Sequence, residues 1–334
     1  MKDLIADIKN NRFKQTYLLY GEEQYLVQMY ENKVKDKVAN AAARMMNMDI
    51  YEGKAALPEP IENAVNTLPF MHDRRLVIVR YSGLFASGRK ADSEKMANIV
   101  ALVPETTLLL FVESDVDKRG KLYKETAKHG RIVEFKTPNA KTLGAWVIRT
   151  MQEKGKRIAV ADADVLVRMA GGDMAALETE IEKLAAYVGE AADVTSADIA
   201  NACTQSLQTK IFDMIDAVAY QKPETALDIF NNLIFMKESP VMIIALIGRQ
   251  FRLMLQSKLL ASGGLSPGHI AQQLEQRSFI VDECLRQGRH FTTADLERAV
   301  NDCLEADLSI KSGKIGDKLA AELLILKIAT PVAP

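Results

Sequence analysis

Tyr17-Leu-Leu-Tyr20 runs directly into Gly21-Glu-Glu-Gln-Tyr-Leu26, the place where a phosphate-binding loop would open after a first strand. Such a loop needs several glycines for close backbone approach, a lysine for the phosphates and a Ser/Thr for magnesium. Here one glycine is followed by two carboxylates, and no Gly-Lys-Ser/Thr comes after them. Glu22 and Glu23 would repel a polyphosphate. Their expected role is that of helix-start acids, favoured by the helix dipole. Leu108 to Val112 leads into Glu113-Ser-Asp115, where a magnesium-binding acid often ends a strand. Without a phosphate loop to share the metal, these acids are expected in a solvated turn. Gly313-Lys-Ile-Gly316 follows no strand and is far short of a dinucleotide fingerprint. His72, His129, His269 and His290 are scattered, with no Cys or His at metal-ligand spacing. Cys203, Cys284 and Cys303 are widely separated and odd in number, so they make no disulfide framework. Cys284 and Cys303 fall in helical patterns as small core residues. The residues support no catalytic site, metal or cofactor.

A different kind of signal lies in Ala64-Val-Asn-Thr-Leu-Pro-Phe-Met71, followed by His72-Asp-Arg-Arg75 and the strand-like Leu76 to Val79. A helix through Ile61 should stop near Thr67, because Pro69 disfavours the α conformation at Leu68. Leu68, Phe70 and Met71 then lie in a tight turn, outside the helical pattern that would bury them. An apolar tip of this sort is either an inward-folded plug or a protruding anchor for a partner's pocket. On these residues alone both readings stand.

The elements that would position these residues are legible as patterns. Thr16–Tyr20, Met45–Ile50, Leu76–Val79, Thr107–Val112 and Arg131–Phe135 are short apolar runs. Several are solid rather than alternating, as in parallel strands buried on both faces. Helical stretches such as Glu23 to Val38 and Lys118 to Lys128 separate them, giving a parallel α/β sheet. After Pro138 no convincing strand follows. In Met174 to Val188, Leu177, Ile181, Leu184 and Val188 share one helical face, with Glu178, Glu180 and Lys183 off it. Thr195-Ser-Ala-Asp198 and Thr292-Thr-Ala-Asp295 read as capping boxes, and Ser239-Pro240 as a helix start. Apolar helical faces with Val241, Ile244, Leu246 and Ile247, then Leu319, Leu323, Ile325 and Ile328, exceed what one helix pair needs. The fold class is therefore α/β plus all-α, in three domains over 1–140, 141–206 and 207–334. A polar hinge is expected at Cys203-Thr-Gln-Ser206.

Charge and composition narrow the function classes. The 334 residues carry 43 basic and 44 acidic side chains. By segment the balance is 22 to 19 over 1–140, 7 to 10 over 141–206 and 14 to 15 over 207–334. No segment is basic enough to hold DNA strongly by itself. The apolar run Val241 to Gly248 is too short to span a bilayer, and the N-terminus does not resemble a signal peptide. A cytoplasmic protein with no membrane contact is expected.

Several short matches, in order and spread over nearly the whole chain, carry a family resemblance. They are Tyr17-Leu-Leu-Tyr-Gly-Glu-Glu23, Thr67-Leu-Pro-Phe70 with Arg75-Leu-Val-Ile-Val79, Leu108 to Glu113 with Asp117-Lys-Arg119, and Gly171-Gly-Asp173 with Leu177-Glu-Thr-Glu-Ile-Glu-Lys-Leu184. Ile211-Phe-Asp213 and Asp307-Leu-Ser-Ile-Lys-Ser-Gly313 complete them. Together they resemble the delta subunit family of bacterial DNA polymerase III clamp loaders. The resemblance implies a degenerate AAA+-type α/β domain over 1–140, a three-helix lid over 141–206 and a helical collar over 207–334. It implies a subunit of the DNA polymerase III holoenzyme, a DNA-directed DNA polymerase, with no catalysis or cofactor of its own. Its partners would be the sliding clamp (beta) and the gamma/tau and delta-prime subunits, with DNA met only in the assembled complex. The resemblance also implies an apolar wedge that enters a pocket on the clamp. The matching stretch is Leu68, Pro69, Phe70 and Met71, with Phe70 mapped most directly. The family's wedge has two adjacent apolar residues, whereas Pro69 here separates Leu68 from Phe70, so Leu68 and Met71 both remain candidates for its partner. The alternatives are a nucleotide-hydrolysing AAA+ subunit, against which Gly21 to Leu26 argues, and a stator-like delta-prime relative, whose four-cysteine zinc site three dispersed cysteines cannot supply.

Overall fold

Five parallel strands make one sheet: β1 (Thr16–Tyr20), β2 (Met48–Glu52), β3 (Arg75–Arg80), β4 (Thr107–Glu113) and β5 (Arg131–Glu134), in the order β2-β3-β4-β1-β5. The structure is a computed structural model and describes residues 1–38 and 44–330. The chain divides into two units, Met1–Thr137 and Pro138–Pro334.

In the first unit the helices are α1 (Lys2–Asn10), α2 (Gln24–Val38), α3 (Arg44–Asn47), α4 (Pro58–Asn66), α5 (Lys90–Val100) and α6 (Lys121–His129). β1 and β4 are buried along their whole length, which is why they read as solid apolar runs. Successive side chains point to opposite faces. Leu18, Val77, Val79, Leu109 and Phe111 pack with Ile61 and Val65 of α4 and Met96 and Val100 of α5. On the other face Tyr17, Leu19, Leu76, Ile78 and Leu110 pack with Leu4 of α1 and Val27, Tyr30 and Val34 of α2. The sheet is thus covered on both sides. The edge strand β2 begins at Met48, three residues later than its apolar run begins, because Arg44–Asn47 form the short helix α3 instead.

The second unit contains α7 (Ala140–Glu153), α8 (Val160–Met169), α9 (Met174–Tyr187), α10 (Ser196–Ala202), α11 (Leu207–Ala219), α12 (Pro223–Phe235), α13 (Pro240–Ser262), α14 (Pro267–Gln273), α15 (Ser278–Gln287), α16 (Thr293–Lys311) and α17 (Asp317–Ala329). Both capping boxes form as the sequence dictates, at Thr195/Asp198 and Thr292/Asp295. Two details differ from the sequence pattern. Arg157–Ile158 and Asp193–Val194 form β6 and β7, a two-stranded parallel ribbon where no strand was expected. Glu180 is buried on the apolar side of α9, satisfied by the Lys183 ammonium at 2.8 Å and by the Thr204 N–H at 3.3 Å. The main core of this unit joins Ile211 and Ile215 of α11, Phe230 of α12, Ile247 and Phe251 of α13, Leu296 of α16 and Leu324 of α17. Among the described residues no helix is long and apolar enough to cross a membrane.

Candidate functional site

The turn after α4 is built from its sequence in three steps. Ile61, Ala64 and Val65 anchor α4 in the core. The helix then stops at Asn66, and Thr67 is already extended (φ −74°, ψ 126°). Its N–H still reaches the Ala64 carbonyl at 3.3 Å, and its hydroxyl donates to the Asn63 carbonyl at 2.7 Å. Pro69 imposes this stop, since it forces Leu68 away from the α region. Beyond it Leu68 is 75% exposed, Phe70 57% and Met71 91%, with Pro69 half-buried. The apolar tip protrudes; it is not a plug. Met71 also has φ +49°, a left-handed conformation that costs a residue with a Cβ roughly 1–2 kcal/mol.

One residue that sequence patterns do not reveal holds this tip. Asn47, 1% exposed, donates from Nδ2 to the Phe70 carbonyl at 2.9 Å and accepts the Phe70 N–H on Oδ1 at 2.6 Å. Arg75 supports it from the next strand. Its guanidinium donates to Asp49 at 2.6 and 2.9 Å and to the Met46 carbonyl at 3.1 Å. Met45 and Met46 of α3, the residues that precede Asn47, are 90% and 58% exposed. The only hint in the sequence is a polar Asn inside an apolar methionine run.

The expected phosphate-loop position has a different occupation. Only Gly21, Glu22 and Glu23 join β1 to α2, and the end of β5 closes on them. The Phe135 N–H donates to the Tyr20 carbonyl at 2.8 Å, while the Glu23 N–H donates to the Phe135 carbonyl at 3.1 Å. Gln24 Nε2 donates to the Gly21 carbonyl at 2.6 Å. Gly21 has φ +135°, and a Cβ there would lie 2.2 Å from the Phe135 carbonyl oxygen. The glycine is required by this backbone contact, not by a phosphate. Glu22 is exposed and accepts from the Thr137 hydroxyl at 3.1 Å, whereas Glu23 is buried. Both immediately precede α2, and the Glu23 carbonyl accepts the Val27 N–H at 3.2 Å, which puts Glu23 at the start of the helix. Gly21→Ala should therefore lower the unfolding free energy by at least about 2 kcal/mol, since it combines a disfavoured φ with overpacking. Urea unfolding of the full chain measures this, and an unchanged midpoint would refute the packing role.

Glu113 departs from the place expected of it. It does not sit in a solvated turn: it ends β4 at 3% exposure. Its Oε1 accepts the Ser82 N–H at 3.0 Å and the Ser82 hydroxyl, and its Oε2 accepts the Gly83 N–H at 3.4 Å. Burial pushes its carboxyl above the usual range, and the Ser82 hydroxyl pulls the other way. The side chain fastens the loop after β3. Asp115 is exposed and accepts the Val116 N–H. The Cys284 and Cys303 thiols are buried and pushed up to about 12 by desolvation, as inert core groups should be. Among the described residues no group of three or more His, Cys, Asp or Glu could hold a metal ion.

Comparison with known proteins places this geometry in context. A family model described as DNA polymerase III, delta subunit, matches residues 17–136. A second, described as DNA polymerase III delta subunit, C-terminal domain, matches residues 208–328. The chain is similar to the DNA polymerase III subunit delta of Bacillus subtilis (strain 168), 30% identical over 98% of this chain and 96% of that one. It is also similar to the probable DNA polymerase III subunit delta of Aquifex aeolicus (strain VF5), 23% identical over 70% of this chain and 68% of that one. Among solved structures, the Bacillus subtilis DNA clamp loader delta protein matches with a TM-score of 0.81 and 27% identity, over 98% of this chain and 99% of that one.

Proposed function

The chain belongs to the DNA polymerase III delta subunit family, and from that premise we propose that it binds the ring-shaped sliding clamp and opens it for loading onto primed DNA. The observation that carries this reading is the turn from Leu68 to Met71, which exposes three apolar side chains on a backbone held from below by Asn47. Isolated exposed apolar residues are ordinary, but a rigid cluster at a helix end suits a pocket on a partner. Binding is its contribution, without nucleotide chemistry: in the three-residue link at Gly21 the Glu23 N–H is engaged by the Phe135 carbonyl, that carbonyl packs against Gly21, and no Gly-Lys-Ser/Thr follows. The reading as a nucleotide-hydrolysing subunit has no comparable observation behind it.

The division of labour follows the same lines. Residues 1–140 form the AAA+-type clamp-binding domain, 141–206 the lid and 207–334 the collar that meets the gamma/tau and delta-prime subunits. The collar assignment is supported by α16 and α17. Leu304 and Leu308 are 55% exposed and Leu319 and Leu323 50%, while α17 turns its small residues Ala320 and Ala321 into the core. Leucine faces left in water in this way suit packing against neighbouring collars. DNA is met in the assembled complex, in the cytoplasm.

The direct test immobilises the full chain and passes its own sliding clamp over it without nucleotide. Retention of the clamp is expected, as is the absence of DNA-stimulated ATP turnover by the purified chain. Failure to retain the clamp, or turnover that survives removal of contaminating ATPases, would overturn the proposal.

A further inference from the structure

Resting on the clamp-binding reading above, we infer that Asn47 is the positioning residue of the wedge: its buried amide fixes the backbone of Phe70, so that the ring is presented to the clamp already ordered. An exposed loop tip normally loses backbone freedom when it docks, and that loss weakens binding. Here the loss has been incurred in the free protein. The Asn47 amide satisfies the N–H and the C=O of the same residue, as a neighbouring strand would, although Phe70 lies in no strand. The ring of Phe70 stays exposed while its backbone is pinned. These bonds therefore order the tip, which the core does not reach.

Two adjacent positions are each fixed by a different device. The ring of Pro69 sets its φ, and the Asn47 amide sets Phe70. Of these only Asn47 acts from another element. Asparagine suits the task because its amide carries an acceptor oxygen beside donor N–H groups. Aspartate would keep the acceptor for the Phe70 N–H but would set a carboxylate against the Phe70 carbonyl. Since Asn47 closes α3, the same two bonds also hold the exposed Met45 and Met46 in fixed register with the wedge turn.

The experiment measures clamp association and dissociation rates for the full chain carrying Asn47→Ala, Phe70→Ala or both. Loosening the tip reduces the fraction of molecules in the binding-competent form, so Asn47→Ala should weaken the affinity by about 3- to 10-fold, chiefly through the association rate. In the Phe70→Ala background the same substitution should have almost no further effect, because Asn47 acts through Phe70. The Phe70 amide should also lose protection from hydrogen exchange. Should Asn47→Ala fail to fold, Asn47→Asp, which conserves the volume, carries the same comparison. A folded Asn47 variant with unchanged affinity, beside a Phe70→Ala variant that binds poorly, overturns the positioning role alone. An equal loss in both backgrounds also overturns it, since a general structural defect would do that. Full binding by Phe70→Ala overturns the clamp-binding reading and this inference together.

Discussion

Leu68→Ala combined with Phe70→Ala should weaken binding of the isolated chain to its sliding clamp by more than about tenfold, while the melting temperature stays nearly constant. Full burial of a large apolar side chain contributes roughly 1.5–3 kcal/mol. Leu68 and Phe70 are 75% and 57% exposed in the free chain, so most of that gain is still available to a partner. Even the lower figure for one residue corresponds to about a tenfold change in affinity. Stability should barely respond, because exposed side chains outside special backbone positions change it by about 0.5 kcal/mol or less. Surface plasmon resonance on immobilised clamp and a thermal melt of the same preparation settle the matter together. Unchanged affinity with a lowered melting temperature would mean that these side chains serve the fold. Pro69 is left untouched here because its ring constrains the backbone, and changing it would mix shape with contact.

What the sequence disclosed and what it hid divide along a physical line. Local chemistry was legible. The solid apolar runs of β1 and β4 announced strands covered on both faces, Pro69 announced the end of α4, and the Thr-x-x-Asp pairs announced two helix starts. Each of these signals lies within a few residues of its effect. The structure's other devices are relations across long stretches of chain. Asn47 meets Phe70 from 23 residues away, and Ser82 meets Glu113 from 31. A single sequence offers no pattern for such pairs. The same cause explains the acids. Glu113 and Glu180 were expected in water because carboxylates are rarely buried. For Glu113 and Glu180 the structure shows the hydrogen bonds that make burial tolerable. Gly21 is instructive in another way. The glycine stands where a phosphate loop would need one, yet the reason lies in the Phe135 carbonyl packed against it. In the candidate site, the helix stop and the apolar tip were readable, but whether the tip pointed inward or outward was not. That depends on whether the core has room for it, which is settled by residues far apart in the chain.

The chain alone, without nucleotide, should release its clamp from nicked circular DNA at least about tenfold faster than spontaneous opening does. This expectation follows from linkage. A protein that opens a ring without chemistry must bind the open ring more tightly than the closed one, and equal affinity for both shifts nothing. The open fraction rises by the ratio of the two affinities, so a preference of about 3 kcal/mol raises it roughly 150-fold. A wedge can hold such a preference only if it is stiff, because a soft tip would yield to the closed interface instead of straining it. Stiffness is what the turn possesses: the proline ring at Pro69 and two hydrogen bonds at Phe70 leave the tip few alternatives. Pro69→Gly tests the link between stiffness and opening, since glycine restores the freedom that the ring removes. It should slow clamp release by a larger factor than it weakens clamp binding. Release that is no faster than spontaneous, from a chain that binds the clamp tightly, would show that the turn only tethers the ring. Opening would then belong to the assembled clamp loader, in which partner subunits supply the strain that this wedge does not.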